Sequence, residues 1–251
     1  MGDDIDLDFP IKSKKEGENN PNYKFIFLVI GIIVVIMLIA GVILFYYNSS
    51  PSEISKSEKA IEQCLKNNLE YGVEVVGSQG GYIIPEKYLN TNHSLLSYGY
   101  FQGKNVLASN DIIEKQISTY IDMIMPICIY ETKLGKYSIN EGHELNVKIN
   151  EDSVSLSAVY PISITYKNKV YLLNKKYNTD TKIRLGRIYG ISQDLINKEI
   201  QNPGSLKDDT IQDISISVIK FNNKNSIVTL TDSKSLIKNS PYTFSFGVGY
   251  K

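Results

Sequence analysis

The chain has 251 residues, with 27 Lys+Arg against 27 Asp+Glu and a formal net charge of zero. Only Arg184 and Arg187 are arginine and no basic cluster stands out, which argues against a nucleic-acid partner, because such proteins carry a concentrated basic patch. Two cysteines, Cys64 and Cys128, are too few for a disulfide-dense scaffold but allow one bridge in an oxidising compartment.

The first element is apolar throughout. Phe25 to Phe45 reads FIFLVIGIIVVIMLIAGVILF, and Tyr46 and Tyr47 follow. A bilayer core of about 30 Å needs about 20 helical residues, so the run predicts a transmembrane helix over 25–47 that holds the chain in a lipid bilayer. Tyr23 at one end and Tyr46 and Tyr47 at the other sit where an aromatic belt lies. Lys12, Lys14, Lys15 and Lys24 precede the run, and only Lys56 and Lys59 follow closely. The positive-inside rule then places the N-terminus in the cytoplasm and the C-terminal domain outside the cell membrane. A secretory signal has an apolar region of about 7–15 residues before a small-residue cleavage site. The longer run here, followed by YYNSSPS, predicts a retained single-pass anchor. Residues 1–24 are polar and read as a disordered cytoplasmic tail, and 48–53 as a linker.

Ser55 and Glu58 have capping-box spacing, which predicts a helix from near Ser55. Ile61, Cys64, Leu65, Leu69, Gly72, Val73 and Val76 form its apolar stripe, and Gly77-Ser-Gln-Gly-Gly81 stops it. Residues 82–108, rich in Tyr, Gly and Asn, read as an irregular loop. A second helix is expected near Asp111, again with cap spacing to Glu114. Ile113, Ile117, Tyr120, Ile121, Ile124 and Cys128 mark its buried face, and Pro126 should kink or end it.

The pattern then switches to period two. Leu145, Val147 and Ile149 alternate. After a turn at 150–152, Val154 to Tyr166 reads as one long strand, with Pro161 pointing to an edge or a bulge. Val170 to Leu173 follows. A third helix is expected over Thr181 to Gln201, with Gly186 and Gly190 weakening its start. Three last strands cover Ile214–Val218, Ile227–Leu230 and Tyr242–Tyr250. The last alternates strictly, which places its aromatic side chains on one buried face. This order predicts an α+β fold with one transmembrane helix, about three further helices and a mainly antiparallel sheet of about five to seven strands. The extracytoplasmic part, 54–251, is read as one domain or as two subdomains divided near 136 or 205.

Several short motifs carry a resemblance. Cys64-Leu65 lies on the first soluble helix, Gln79-Gly-Gly-Tyr-Ile83 in the turn after it, Tyr160-Pro-Ile162 in mid-domain, and Pro241-Tyr-x-Phe-x-Phe246 near the end. In these the chain resembles a family of uncharacterised single-pass membrane proteins from small-genome, DPANN-type archaea. The resemblance implies membrane anchoring and an archaeal envelope location, and it implies no activity.

Candidate chemistry is sparse. Cys64 and Cys128 each fall on the apolar face of a predicted helix and form a candidate disulfide; free buried thiols are the alternative. A bridge closing a loop of about 65 residues is worth roughly 3–4 kcal/mol in the chain-entropy treatment. Glu141-Gly-His143-Glu144 fits no zinc motif and reads as a surface turn. Gly77 to Gly81 follows a helix rather than a strand, so it is not a nucleophile elbow, and it lacks the Gly-Lys-Ser/Thr of a phosphate loop. Tyr82, Tyr88, Tyr98, Tyr100 and Phe101 form the candidate contact surface, since tyrosine offers an apolar face with a polar tip; rings covering the core beneath a loop are the alternative. Asn48 and Asn92 begin glycosylation acceptor triplets. The chain thus reads as a non-enzymatic binding or structural protein of the cell envelope, with a protein or envelope partner and no cofactor or metal. An anchored envelope hydrolase and a pilin-like filament subunit are the other readings.

Overall fold

A computed structural model describes residues 21–48, 52–91, 94–132, 135–166 and 168–250. Residues 1–20 of the expected tail 1–24, residues 49–51 of the expected linker, Asn92 and His93 lie outside them, while 21–24, expected in the tail, are helical. The chain divides into two units, Met1–Pro51 and Ser52–Lys251.

In the first unit, helix α1 spans Pro21–Asn48. Its stretch Phe25–Leu44 is long and apolar enough to cross a membrane, and none of it is buried by protein. At ~1.5 Å per residue the apolar stretch reaches about 30 Å. An all-round apolar helix with no protein cover has nowhere to hide its side chains except lipid or another chain. The side chains of Tyr23, Tyr46, Tyr47 and Asn48 lie outside the described ones. Asn48 is the last helical residue, not the first of a linker.

The second unit opens with α2, Ser52–Ser78. It starts three residues before the expected cap, so Ser55 is helical and Glu58 pairs with Lys175 Nζ at 3.0 Å instead of closing a capping box. Ile54, Ile61, Cys64, Leu65, Leu69, Val73 and Val76 are buried. The helix ends as the glycines require: Gly80 and Gly81 take φ of +72° and +94°, and Gly81 N–H donates to Val76 C=O at 2.7 Å.

The segment 82–108 is not a loop. It holds β1 (Tyr88–Asn90), β2 (Leu95–Phe101) and β3 (Lys104–Asn105). Helix α3, Asn110–Glu131, follows, with Ser109 rather than Asp111 as its cap. Glu114, expected in the cap, instead accepts from Ile149 N–H and Lys148 Nζ, both at 2.9 Å. Pro126 does not end α3, which continues to Glu131. The proline lies on the exposed side of the helix, where its missing N–H takes no bond from the buried face.

Six strands then form one folded ribbon: β4 (Lys136–Ile139), β5 (Glu144–Ile149), β6 (Val154–Val159), β7 (Ile162–Tyr166), β8 (Lys169–Leu173) and β9 (Lys176–Thr181). β6 is central to β5 and β9, and β7 to β4 and β8, all antiparallel. The expected long strand over 154–166 is therefore two strands in two sheets. Its break falls at Tyr160-Pro161, where proline has no N–H to give the ladder, and Pro161 C=O accepts from Asn140 N–H at 3.0 Å. The flanking strands break at the same level, at 140–143 and 174–175.

Helix α4 covers Leu185–Gln201, later than expected because Lys176–Thr181 is strand. Gly186 has a packing reason: a Cβ there would stand 2.5 Å from Asn150 C=O. The chain closes with β10 (Asp209–Ile211), β11 (Ile214–Lys220), β12 (Asn225–Ile237) and β13 (Ser240–Gly249). These join the first strands in a seven-stranded sheet ordered β1-β2-β13-β12-β11-β10, with β3 on β2. Every pairing is antiparallel except β13 with β2, which is parallel. The described strands number 13, more than expected, because polar Tyr/Gly strands and split ribbon strands escaped the alternation test.

One core serves the unit. α2 touches α3, β13 and β9, and α3 touches β5, so the helix pair is packed against both the large sheet and the ribbon. Tyr242, Phe244, Phe246 and Val248 of β13 are buried beneath it. Cys64 and Cys128 are joined by a disulfide between α2 and α3, with Cα atoms 5.9 Å apart.

Candidate functional site

Three glycines shape the surface where the aromatic residues gather. The ladder between β13 and β2 slips between Gly247↔Tyr98 and Val248↔Tyr100, so Gly99 is an extra residue, a β-bulge. A Cβ at Gly99 would stand 2.6 Å from the Phe246 ring. The bulge reverses the alternation on β2. Tyr98 follows Gly247 to the outer side, and Tyr100 follows Val248 into the core.

The outer rings rest on backbone. Tyr98 Cδ1 lies 3.0 Å from where a Cβ would stand on Gly247, and Phe101 Cδ2 lies 2.7 Å from the same position on Gly249. The two rings touch at 4.9 Å between centroids, tilted by 54°. Tyr98 hydroxyl donates to Asn225 Oδ1 at 3.2 Å, and burial raises its pKa above the ordinary tyrosine value. Tyr88 sits across from Ser97 in the β1–β2 ladder. Tyr82 follows the Gly81 turn. The irregular run after it is held to α3 by Ile83 N–H, which donates to Gln116 Oε1 at 3.0 Å.

Together these residues line a cleft of about 870 Å³, bounded by Tyr82, Ile84, Glu86, Lys87, Tyr88, Ser97, Tyr98, Phe101, Val106 and Gln116. That volume lies at the upper end of ordinary ligand sites, ~300–1,000 Å³. Ile84, Tyr88 and Val106 are exposed at its rim. Its chemistry is aromatic and hydrogen-bonding: Glu86 and Lys87 supply one charge of each sign. Tyr82, Tyr88, Tyr98 and Phe101 of the sequence-derived set thus converge. Tyr100 does not join them; it is 3% exposed and packs on Tyr250 at 5.8 Å.

The other sequence candidates lie elsewhere. His143 Nε2 meets Asp122 Oδ1 at 2.9 Å, and its ring approaches Tyr160 at 5.5 Å. Among the described residues no group of three His, Cys, Asp or Glu side chains is placed to hold a metal.

Two buried carboxylates were not singled out from the sequence. Asp232, fully buried, receives both the Nε (2.8 Å) and Nη2 of Arg184, the Ser235 hydroxyl at 2.5 Å and the Lys234 N–H at 3.0 Å. Burial pushes this carboxyl up, but the bonds from Arg184, Ser235 and the Lys234 N–H outweigh it and hold it below the ordinary carboxylate range. The pair pins the start of α4 to the irregular stretch of β12 between Asp232 and Leu236. Arg184, one of two arginines, was the available signal. Glu199, also fully buried, accepts from the N–H groups of Gly204, Ser205 and Leu206. Both carboxylates have every oxygen occupied by these bonds, so each ties a helix end to neighbouring chain.

Comparison of the chain with protein-family models, with curated proteins and with solved structures gives no match.

Proposed function

We propose that the protein is a membrane-tethered binding protein of the cell envelope that takes its partner in the aromatic cleft on β2 and catalyses no reaction. In this reading α1 crosses the bilayer with the N-terminus in the cytoplasm, and the unit from Ser52 onward works outside. On the resemblance carried by Gln79–Ile83 and Pro241–Phe246, the envelope is an archaeal one.

One observation carries the reading: four rings from the stretch 82–101 line one cleft, and two of them, Tyr98 and Phe101, lie against Gly247 and Gly249. Tyrosine and phenylalanine supply large rigid contact area at low entropic cost, and the phenolic tips satisfy polar groups of a partner. Ser97, Gln116, Glu86 and Lys87 add hydrogen bonds that fix orientation. Lys87 is the one basic side chain on the cleft lining and Glu86 stands next to it in sequence, so a polyanion finds no net counter-charge there.

The test is photo-crosslinking in native membranes from a probe residue at Val106, on the rim, with Tyr88→Ala and Tyr98→Ala as variants. A specific partner captured by the wild type and lost in both variants supports the cleft. A partner captured equally by all three chains removes the cleft from the function. Protease added to intact cells should digest the Ser52–Lys251 unit and spare an N-terminal tag; the reverse pattern overturns the orientation.

A further inference from the structure

The three-stranded sheet β4-β7-β8 gathers a charge that is dispersed in the sequence. Its strands lie within two stretches, 132–139 and 162–177, which together hold six lysines and no Asp or Glu. The chain as a whole has zero net charge, so the sheet is a local surplus. Among the described residues Lys136, Lys169 and Lys176 are exposed and meet no carboxylate, whereas Lys175 holds Glu58 at 3.0 Å. Glu131, at the end of α3, offsets only part of the surplus.

The same sheet exposes apolar side chains. Lys136, Thr165 and Val170 lie opposite one another across its strands, as do Ser138, Ser163 and Leu172, and cross-strand partners share a face. Ile162, Ile164 and Leu173 turn to the core, so this is the outer face. On it Val170 and Leu172 are 68% and 60% exposed. Both belong to β8, whose far edge is unpaired. Tyr130, 74% exposed, borders a shallow depression with Gly135 and Tyr137 at the sheet's margin.

Chain connectivity says what this face meets. Tyr137 hydroxyl donates to Pro126 C=O at 3.4 Å, near the end of α3, and Lys175, just past β8, holds Glu58 near the start of α2. The sheet therefore flanks the end of the unit at which α2 begins. Only residues 49–51 separate α2 from α1, and a link of that length spans at most ~14 Å. With α1 as a bilayer anchor, the start of α2 is held close to the lipid surface.

We propose that the β4-β7-β8 sheet rests on the anionic headgroups of the bilayer that α1 crosses, with Lys136 and Lys169 against lipid phosphate and Val170 and Leu172 among the uppermost acyl carbons. The inference rests on the reading of α1 as a membrane anchor and not on what the cleft binds. Lysines beside exposed aliphatic and tyrosine side chains match the chemistry of the membrane–water boundary. The open edge of β8 limits the depth: its unpaired amides need water or headgroup oxygens, which hydrocarbon does not supply. Addition of a further strand to that edge is disfavoured, because Lys169 stands on it. Such a contact holds the unit from Ser52 onward in one attitude to the membrane.

The test uses the full chain in phosphatidylcholine vesicles with or without phosphatidylglycerol. With Cys64 and Cys128 bonded to each other, Leu172→Cys has one free thiol for a fluorophore, and quenching by doxyl lipid reports its contact with the bilayer. Met37→Cys in α1 and Ile219→Cys, at a 59% exposed position on β11, are the references. Each lysine at an anionic surface strengthens binding about five-fold, so with phosphatidylglycerol present quenching at 172 should exceed that at 219 at least ~5-fold. Adding Lys136→Glu and Lys169→Glu, or raising the salt, should bring it down to the level at 219, while the native disulfide and far-UV circular dichroism stay unchanged. Equal quenching at 172 and 219, or indifference to both the anionic lipid and the lysine variants, overturns the proposal; quenching at Met37→Cys in that case leaves the anchor standing. An unquenched Met37→Cys removes the anchor and the proposal with it. Protection of Leu172→Cys from a soluble thiol reagent by added polyglutamate, without quenching by lipid, overturns it too and assigns the sheet to a soluble polyanion.

Discussion

Replacing Arg184 by methionine would leave the Asp232 carboxylate fully buried and stripped of its two guanidinium bonds. Breaking a buried pair from one side costs about 3–5 kcal/mol, because the remaining charge is uncompensated. That is about a fifth or more of the ~5–15 kcal/mol that holds a typical domain. The cost should depend on pH with a definite sign. In the wild type the Asp232 carboxyl is held below its ordinary range, so its contribution is present above the unfolded value of about 3.9 and disappears as pH falls through the folded value. In Arg184→Met the same carboxyl, buried without its cation, titrates above its unfolded value. Its penalty is present at neutral pH and is relieved as pH falls. Both effects narrow the gap, so the difference should be large at pH 7 and smaller near pH 4. Urea denaturation of the full chain in detergent, followed by far-UV circular dichroism, measures it. Adding Asp232→Leu to Arg184→Met should recover most of the loss, since an apolar pair of similar volume often replaces a buried ion pair without penalty. A difference below ~1 kcal/mol at pH 7, the size of an exposed ion pair, or one that does not shrink with acid, would refute the reasoning.

Two further expectations concern the helices. Cys64→Ser should lower stability by about 4 kcal/mol, the chain-entropy value for a loop of this length, and abolish the mobility shift between reduced and non-reduced gels. An unchanged shift would mean that the sulfurs are not joined in the cell. Gly77→Ala reverses a familiar sign. Alanine normally stabilises a helix over glycine by roughly 0.5–1 kcal/mol, but here the new Cβ would stand 2.5 Å from Thr243 C=O and 2.6 Å from the Tyr242 hydroxyl. Overpacking of this kind costs about 1–3 kcal/mol, and a raised melting temperature would show that the α2–β13 contact is looser than described.

Periodicity made the helices legible: α2, α3 and α4 each follow an apolar stripe in the sequence; their starts moved, and α3 runs on past Pro126. The apolar run of α1 was equally plain. The strands of 82–108 were hidden because their pairing is remote. β2 is held on one side by β13, with Tyr98 opposite Gly247, and nothing local in a Tyr/Gly/Asn-rich segment marks such a partner. The bulge at Gly99 also broke the alternation that a strand would show. Composition alone brought Tyr82, Tyr88, Tyr98 and Phe101 forward as a set. It could not tell that Tyr100, between two of them, turns inward, because that depends on one extra residue in the ladder. The Arg184–Asp232 pair and the Glu199 cap were invisible for a related reason: each depends on a backbone turn that only the fold supplies.

The parallel contact of β13 with β2 has a consequence for how the chain is made. β13 occupies an interior place in the large sheet, between β12 and β2, yet it leaves the ribosome after both. Until Ser240–Gly249 emerges, β2 and β12 present two facing rows of unpaired amides, and unpaired strand edges recruit other chains. A synthesis arrested after Lys238 would therefore produce an adhesive intermediate rather than a slightly shortened protein. Closing this sheet is a seal applied late, and quality control that meets the chain early meets it open.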